Sequence, residues 1–139
     1  MKNSFYLNKS CLYIDAAQRL MDLNQGVHSV VPHSAYYGCL LLMEHICYVE
    51  DGKKEEDLRG SLKKIGLHEA IISYFKSKFT KSDDRYAYRN MKAFSDDITE
   101  LKLLRVKADY ENKDVTTTDG QRSLTLAKEI LEVLKTVRI

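Results

Sequence analysis

Apolar residues recur three and four positions apart along most of this chain, and almost nothing interrupts that spacing. The 139 residues include one proline and six glycines. The strict alternation of apolar and polar residues that is typical of strands is absent. The pattern predicts an all-α protein, and the length fits a single domain, residues 1–139, with one core. We expect an antiparallel, up-and-down bundle of about five helices.

Two long apolar segments define the N-terminal half of the predicted bundle. The first helix is predicted over Phe5–Leu23, capped by Asn3 or Ser4 and ended by Gly26. The second is predicted from about Ser34 to Glu50 and is apolar almost all round. A helix of that composition is typical of the centre of a bundle.

The middle of the chain mixes a clear helix with segments that are harder to assign. The charged stretch Lys53 to Asp57 is predicted to be a solvated connection, and a third, amphipathic helix begins near His68. Thr80 to Ser95 is either a short helix or a structured loop. Ser95-Asp96-Asp97 predicts the start of a fourth helix, because aspartates favour the positive end of the helix dipole, and that helix continues to about Asn112.

The last helix follows a polar turn. Thr118 and Gln121 have the spacing of a capping box. Apolar residues at helical spacing then predict a helix that runs to about Val137.

Charge is nearly balanced overall and unevenly distributed. The formal net charge of +2 is too small to imply nucleic-acid binding by itself. Basic residues nevertheless dominate Arg59 to Lys81, and acidic residues dominate Asp109 to Asp119. These two stretches are either solvated surfaces or faces that meet across a dimer, and the basic one is alternatively a phosphate-binding face.

Cysteine usage and motifs narrow the class of protein further. The three cysteines include no C-x-x-C pair and no leader-like segment precedes them, so we expect a reduced, cytoplasmic protein. The longest apolar run, Cys39 to Met43, is too short for a membrane span. Phosphate-loop, dinucleotide-binding and zinc-protease motifs are absent, so no cofactor is expected.

The segment Arg105 to Tyr110 holds the strongest candidate site. Arg105 falls on the apolar register that includes Ile98 and Leu101. Since arginine stays charged when buried, it needs a partner there, and that need indicates a site or an interface. The alternative is an ordinary surface pair between Arg105 and Asp109. Tyr110 lies on a flank of the helix, where it is either half-exposed or in reach of a second subunit.

Tyrosine and histidine side chains supply the other candidates. Tyr36 and Tyr37 open the central helix, so one of them must face inward and needs a partner for its hydroxyl. Among the four histidines, His68 is the best functional candidate. The others are predicted to be satisfied and partly buried, because a metal site needs at least three converging ligands.

Three short segments together resemble the HEPN superfamily of small prokaryotic helical bundles. Ser34-Ala35-Tyr36-Tyr37-Gly38 resembles the opening of that family's central helix, and His68 to Phe75 resembles its third helix. Arg105 to Tyr110 is similar to the Arg…Ala-Asp-Tyr signature of one branch. The likeness extends from about residue 5 to residue 137. It implies a homodimer and a minimal nucleotidyltransferase as partner.

The resemblance also frames two functional hypotheses. Ribonuclease members carry an arginine and, after about four to six residues, a histidine that assists attack by the RNA 2′-hydroxyl. Here Tyr110 stands in the place of that histidine, and tyrosine is a poor base at neutral pH. The first hypothesis is therefore a non-catalytic protein that binds RNA, a nucleotide or a partner protein through Arg105, Asp109, Tyr110, Tyr36 and His68. The second is a toxin-type, metal-independent endoribonuclease of a toxin–antitoxin system, in which His68 or Tyr110 replaces the missing histidine.

Overall fold

The fold is built from helices. A computed structural model describes residues 3–23, 28–60 and 65–138, and within these ranges it contains six α-helices and no strand. In chain order the helices are α1 (Phe5–Leu23), α2 (Val31–Glu44), α3 (Glu55–Arg59), α4 (Leu67–Thr80), α5 (Ala87–Tyr110) and α6 (Thr117–Leu134). Short 3₁₀ segments at His28–Val30 and Lys135–Val137 precede α2 and follow α6, and a π-helix at His45–Glu50 continues α2. The all-α prediction is confirmed, with the short α3 as an additional helix.

Helix α2 lies at the centre of the bundle, as its composition predicts. It contacts α1, α4, α5 and α6. Its side chains at Ala35, Cys39, Leu40 and Met43 are buried, and they form one continuous core with apolar residues of the four surrounding helices. No helix in the described part of the chain is long and apolar enough to cross a membrane.

The contact between α1 and α2 depends on a glycine. A Cβ atom at Gly38 would lie 2.5 Å from Cδ1 and 2.7 Å from Cγ1 of Ile14. The hydroxyl of Ser10 donates to the Gly38 carbonyl at 2.6 Å, so the two backbones cannot easily separate. At the N-terminus of α1, Ser4 Oγ accepts from the Leu7 amide at 3.2 Å, which confirms Ser4 as the cap. Gly26, predicted to end this helix, lies outside the described residues.

Gly38→Ala should therefore destabilise the protein. Alanine gains about 1 kcal/mol of helix propensity over glycine, but overlap with Ile14 outweighs that gain. We expect a net loss of about 1–2 kcal/mol in the free energy of unfolding, measured by urea denaturation. In Gly66→Ala a Cβ meets nothing within 4 Å, so any loss there reports only the change of residue at the N-cap of α4. A Gly38→Ala protein as stable as wild type would contradict this packing.

Two boundaries near α2 differ from the sequence predictions. The helix begins at Val31, earlier than Ser34, because Pro32 occupies its first turn, where a missing N–H costs nothing. The stretch predicted as a solvated connection contains α3. A hydrogen bond at its N-terminus explains this difference, since the Asp57 carboxylate accepts from the Lys54 amide at 2.8 Å.

The largest difference concerns the start of α5. The helix begins at Ala87, so Ser95-Asp96-Asp97 lies in its interior and does not form its N-terminus. The chain turns before α5 because Asp84 accepts hydrogen bonds from the amides of Tyr86 and Ala87, through its side chain and its carbonyl. The helix ends at Tyr110, two residues before the predicted end.

The cap of α6 also differs from the prediction by two residues. Thr116 and Asp119 form the capping box instead of Thr118 and Gln121, with reciprocal side-chain to amide distances of 3.1 Å. Asp119 also accepts from Lys107 Nζ at 2.7 Å. Since aspartate brings a charge to the positive helix end, it outcompetes glutamine for that position. The α-helix ends at Leu134, and Val137 lies in the final 3₁₀ segment.

Asp97 lies within α5, and its environment there predicts a pH-dependent stability. Burial, together with a hydrogen bond to Glu129, raises the pKa of Asp97 to about 6. A raised carboxyl pKa favours folding below the unfolded value, and that advantage is lost as pH rises through the folded value. Asp97→Asn should therefore increase the free energy of unfolding near neutral pH by about 1 kcal/mol, a figure reduced for solvent screening. The gain should vanish in acid, and an equal gain at acid and neutral pH would contradict this explanation.

Candidate functional site

The best candidate site lies where α2, α4 and α5 meet. The second turn of α5 from its C-terminus faces the first two turns of α2 and the start of α4. We call this group the Arg105 cluster. It comprises His33, Tyr36 and Tyr37 of α2, His68 of α4, and Arg105, Asp109 and Tyr110 of α5.

Arg105 is buried among aromatic rings. The residue is only 7% exposed, so the register argument from sequence is confirmed. Its Cζ atom lies 5.1 Å from the ring centre of Tyr36 and 5.4 Å from those of Tyr37 and Tyr110. These distances are within the range of cation–π attraction. The charge is thus stabilised by ring faces.

Few of the hydrogen-bond donors of Arg105 are used. A guanidinium has five N–H donors. Nη2 donates to the Tyr37 hydroxyl at 3.4 Å, which is long, and Nε has no hydrogen-bond partner among the described residues. Asp109 Oδ2 lies 3.9 Å from Nε, beyond hydrogen-bonding distance. The Arg105 guanidinium therefore keeps a buried donor that no described residue accepts from.

Asp109 is committed to a different partner. Its Oδ2 accepts from His33 Nδ1 at 2.8 Å, and the rings of His33 and Tyr37 lie 4.7 Å apart. The predicted surface pair between Arg105 and Asp109 is therefore a long contact beside a much closer one. His33 was predicted to be merely satisfied, and here it forms the outer wall of the cluster.

Tyr36 and His68 form the inner wall. Tyr36 is the tyrosine that faces inward, and its hydroxyl lies 3.4 Å from His68 Nδ1. Burial raises the pKa of Tyr36 to about 12, so the phenol is neutral. Burial, and then the charges of Arg105 and Lys102, lower the pKa of His68. Its imidazole is therefore neutral at physiological pH and able to accept a proton.

The structure thus brings together all five residues proposed from sequence, namely Arg105, Asp109, Tyr110, Tyr36 and His68. Sequence reasoning missed His33 and underrated Tyr37. His33 lies three residues before Tyr36 and four before Tyr37, the spacings that bring side chains together on one side of a helix. This spacing would have indicated His33 only if the helix had been predicted to begin before His33.

Other chemistry has less support in the described ranges. No group of three or more histidine, cysteine or acidic side chains is placed to hold a metal ion there. Cys39 and Cys47 are buried and unpaired, and burial raises the pKa of both thiols. They act as small apolar side chains, as predicted.

Comparisons of the chain with protein-family models, with curated proteins and with solved structures found no match. The likeness to the HEPN superfamily therefore stays a prediction from the three sequence segments.

Proposed function

We propose that this is a non-catalytic, HEPN-like protein that binds RNA or a nucleotide through the Arg105 cluster. The observation that carries the proposal is the buried guanidinium of Arg105, whose Nε has no hydrogen-bond partner among the described residues. Such a group costs free energy in the unliganded protein. A phosphate oxygen accepts charge-assisted hydrogen bonds from arginine and would offset that cost.

The aromatic rings around Arg105 favour a nucleic acid over a simple anion. Tyr110 is 73% exposed and still lies over the guanidinium. His33 is half-exposed and lies against the ring of Tyr37. Single-stranded RNA binds proteins by stacking its bases on such rings while cations hold its backbone. The cluster offers one buried cation and two accessible rings within a few ångströms.

The negative charge of Asp109 provides a test, because two substitutions in the cluster should change RNA affinity in opposite directions. A carboxylate close to Arg105 repels a phosphate, so Asp109→Asn should tighten RNA binding. Arg105→Met should weaken it. If the cluster instead bound a basic segment of a partner protein, both effects on that partner would be reversed.

The experiment is fluorescence anisotropy of a labelled, short single-stranded RNA at low salt. Wild type is compared with Arg105→Met, Asp109→Asn and a control, Arg89→Met, which removes an exposed arginine from the same helix. We expect weaker, tighter and unchanged binding, respectively. Equal losses in Arg105→Met and Arg89→Met would indicate non-specific attraction and overturn the proposal.

We include a homodimer and a nucleotidyltransferase partner in the same proposal. Both rest on the resemblance to the HEPN superfamily. One structural feature supports a protein contact beside the cluster. Leu103, which lies two turns before Tyr110 on α5, is 64% exposed. Leu103→Glu should shift the sedimentation coefficient to that of a monomer if a second copy covers this face. A wild type that is monomeric at high protein concentration would contradict the dimer.

A second candidate function is a metal-independent endoribonuclease, and one observation favours it. The lowered pKa of His68 leaves a neutral imidazole close to the Arg105 charge. A neutral imidazole is the form that removes a proton from a 2′-hydroxyl, and an adjacent arginine stabilises the phosphorane charge.

Incubation of RNA with the pure protein in a chelator separates the two functions. The non-catalytic proposal predicts binding without cleavage. Cleavage that disappears in both Arg105→Ala and His68→Gln would establish the ribonuclease and reject the non-catalytic reading.

A further inference from the structure

A second basic site lies in a different part of the molecule. A cleft of about 520 Å³ opens between the C-terminal end of α4, the turn after the π-helix and the final 3₁₀ segment. It shares no residue with the Arg105 cluster. Four cations from these three elements line it, and we call it the basic cleft. They are Lys53, Lys78, Lys81 and Arg138.

Two of the four cations are held in place by buried carboxylates. Lys78 Nζ donates to Asp51 Oδ2 at 2.7 Å, and the Tyr74 hydroxyl donates to the same oxygen at 2.5 Å. Arg138 donates to Glu50 through Nη2 at 2.8 Å and Nε at 3.4 Å. The side chains of Asp51 and Glu50 are only 7% and 5% exposed. Such partners fix the direction of a cation and lower the entropy lost when it binds a ligand.

The π-helix explains how adjacent carboxylates reach two different cations. Its wider turn ends with the Asp51 amide donating to the Ile46 carbonyl at 2.8 Å. Gly52 follows with a φ of +67°, a conformation that glycine adopts without strain. This turn projects Lys53 into the cleft, where the Lys53 amide donates to the Cys47 carbonyl at 2.9 Å. Single-turn π-helices are frequent at functional sites.

The remaining two cations have no compensating charge. Lys53 and Lys81 are exposed and form no ion pair with any residue in the described ranges. Among the described residues, Lys53 and Lys81 therefore give the cleft two positive charges that no carboxylate pairs with. The hydroxyl-bearing residues Ser77 and Thr136 lie in the same lining. This combination of fixed cations, exposed cations and hydroxyl groups suits the several acceptor oxygens of a phosphate.

We propose that the basic cleft binds a small phosphate-bearing anion. The excess charge matches a doubly or more highly charged phosphate, and the volume is that of ordinary small-ligand sites. The site is independent of the RNA site at Arg105, because the two have neither residues nor helix ends in common. The basic stretch seen in the sequence therefore contributes Lys78 and Lys81 to a defined cleft.

The test is isothermal titration of the full chain with pyrophosphate at low ionic strength. The double variant Lys53→Gln/Lys81→Gln removes the two cations that have no ion pair, and its fold should be intact by circular dichroism. Lys9→Gln/Lys92→Gln is the matched control, because it removes the same charge from exposed positions outside the cleft. Arg105→Met is included to separate this site from the Arg105 cluster.

We expect saturable binding to wild type that weakens at least about tenfold in Lys53→Gln/Lys81→Gln. The control pair should stay within about twofold of wild type, since it lies outside the cleft. Absence of saturable binding to wild type would overturn the proposal, and so would an equal loss in the control pair. A loss confined to Arg105→Met would assign pyrophosphate to the Arg105 cluster and reject the cleft.

Discussion

Arg105→Met should bind single-stranded RNA at least about tenfold more weakly than wild type and still unfold at the same or a higher temperature. The two effects have one cause. Methionine fills the space between the rings of Tyr36, Tyr37 and Tyr110, and it removes a buried charge with few hydrogen bonds. Replacement of an incompletely paired buried ion by an apolar side chain is often neutral or stabilising.

Arg105→Lys sharpens this prediction because it keeps the charge. A lysine ammonium lacks the planar fork that contacts a phosphate through two N–H groups, and it stacks poorly on rings. We expect RNA affinity near that of Arg105→Met. If instead Arg105→Met loses several kcal/mol of stability, the arginine serves the fold, and the binding proposal fails.

Glu50→Ala should lower the free energy of unfolding by about 3 kcal/mol, because it removes a nearly buried carboxylate that accepts hydrogen bonds from His45 and Arg138. The Glu50 carboxylate accepts from His45 Nε2 at 3.1 Å and from Arg138 Nη2 at 2.8 Å. His45 is completely buried, and its Nδ1 lies 2.7 Å from Ser4 Oγ. Loss of the carboxylate would therefore disturb contacts between the start of α1, the π-helix and the C-terminal segment.

The pH dependence of this loss follows from the pKa of Glu50. Burial alone would raise it, but hydrogen bonds and charge from Arg138, with those of His45, hold it below its ordinary value. A depressed carboxyl pKa adds stability above the unfolded value, and that stability disappears as pH falls through the folded value. The difference in the free energy of unfolding between wild type and Glu50→Ala should thus shrink in acid.

The control is Glu132→Ala, which removes an exposed pair with Lys135 and should change stability by less than about 0.5 kcal/mol. A Glu50→Ala loss as small as the control's would contradict the network.

Most of the fold could be predicted from sequence because burial follows the apolar stripes. Helix α1 and the central position of α2 needed only the spacing of their apolar residues. The start of α5 could not be predicted in that way, since its first two turns are largely solvent-facing and Tyr88 there is 74% exposed. The decisive interaction is local, the turn in which Asp84 accepts from the Tyr86 amide just before α5.

The position of Arg105 in the candidate site could also be predicted from spacing along one helix, but its neighbours could not. Arg105 lay on a buried register, so its need for partners could be read from spacing alone. Which rings would surround it depended on how α2, α4 and α5 pack, and no single-helix pattern contains that information. His33 is missed because the sequence predicts that the second helix begins at Ser34, which leaves His33 in the preceding loop.

The most direct test of the RNA site is NMR observation of the Arg105 side chain during titration with a short single-stranded RNA. The Nε–H group of Arg105 is buried and makes no hydrogen bond with any described residue, so a phosphate bound by this guanidinium must change its resonance. We predict a saturable shift of the Arg105 Nε–H signal together with ring signals of Tyr110 and His68, and a larger response in Asp109→Asn. RNA binding that shifts other residues and leaves all three signals in place would contradict the account.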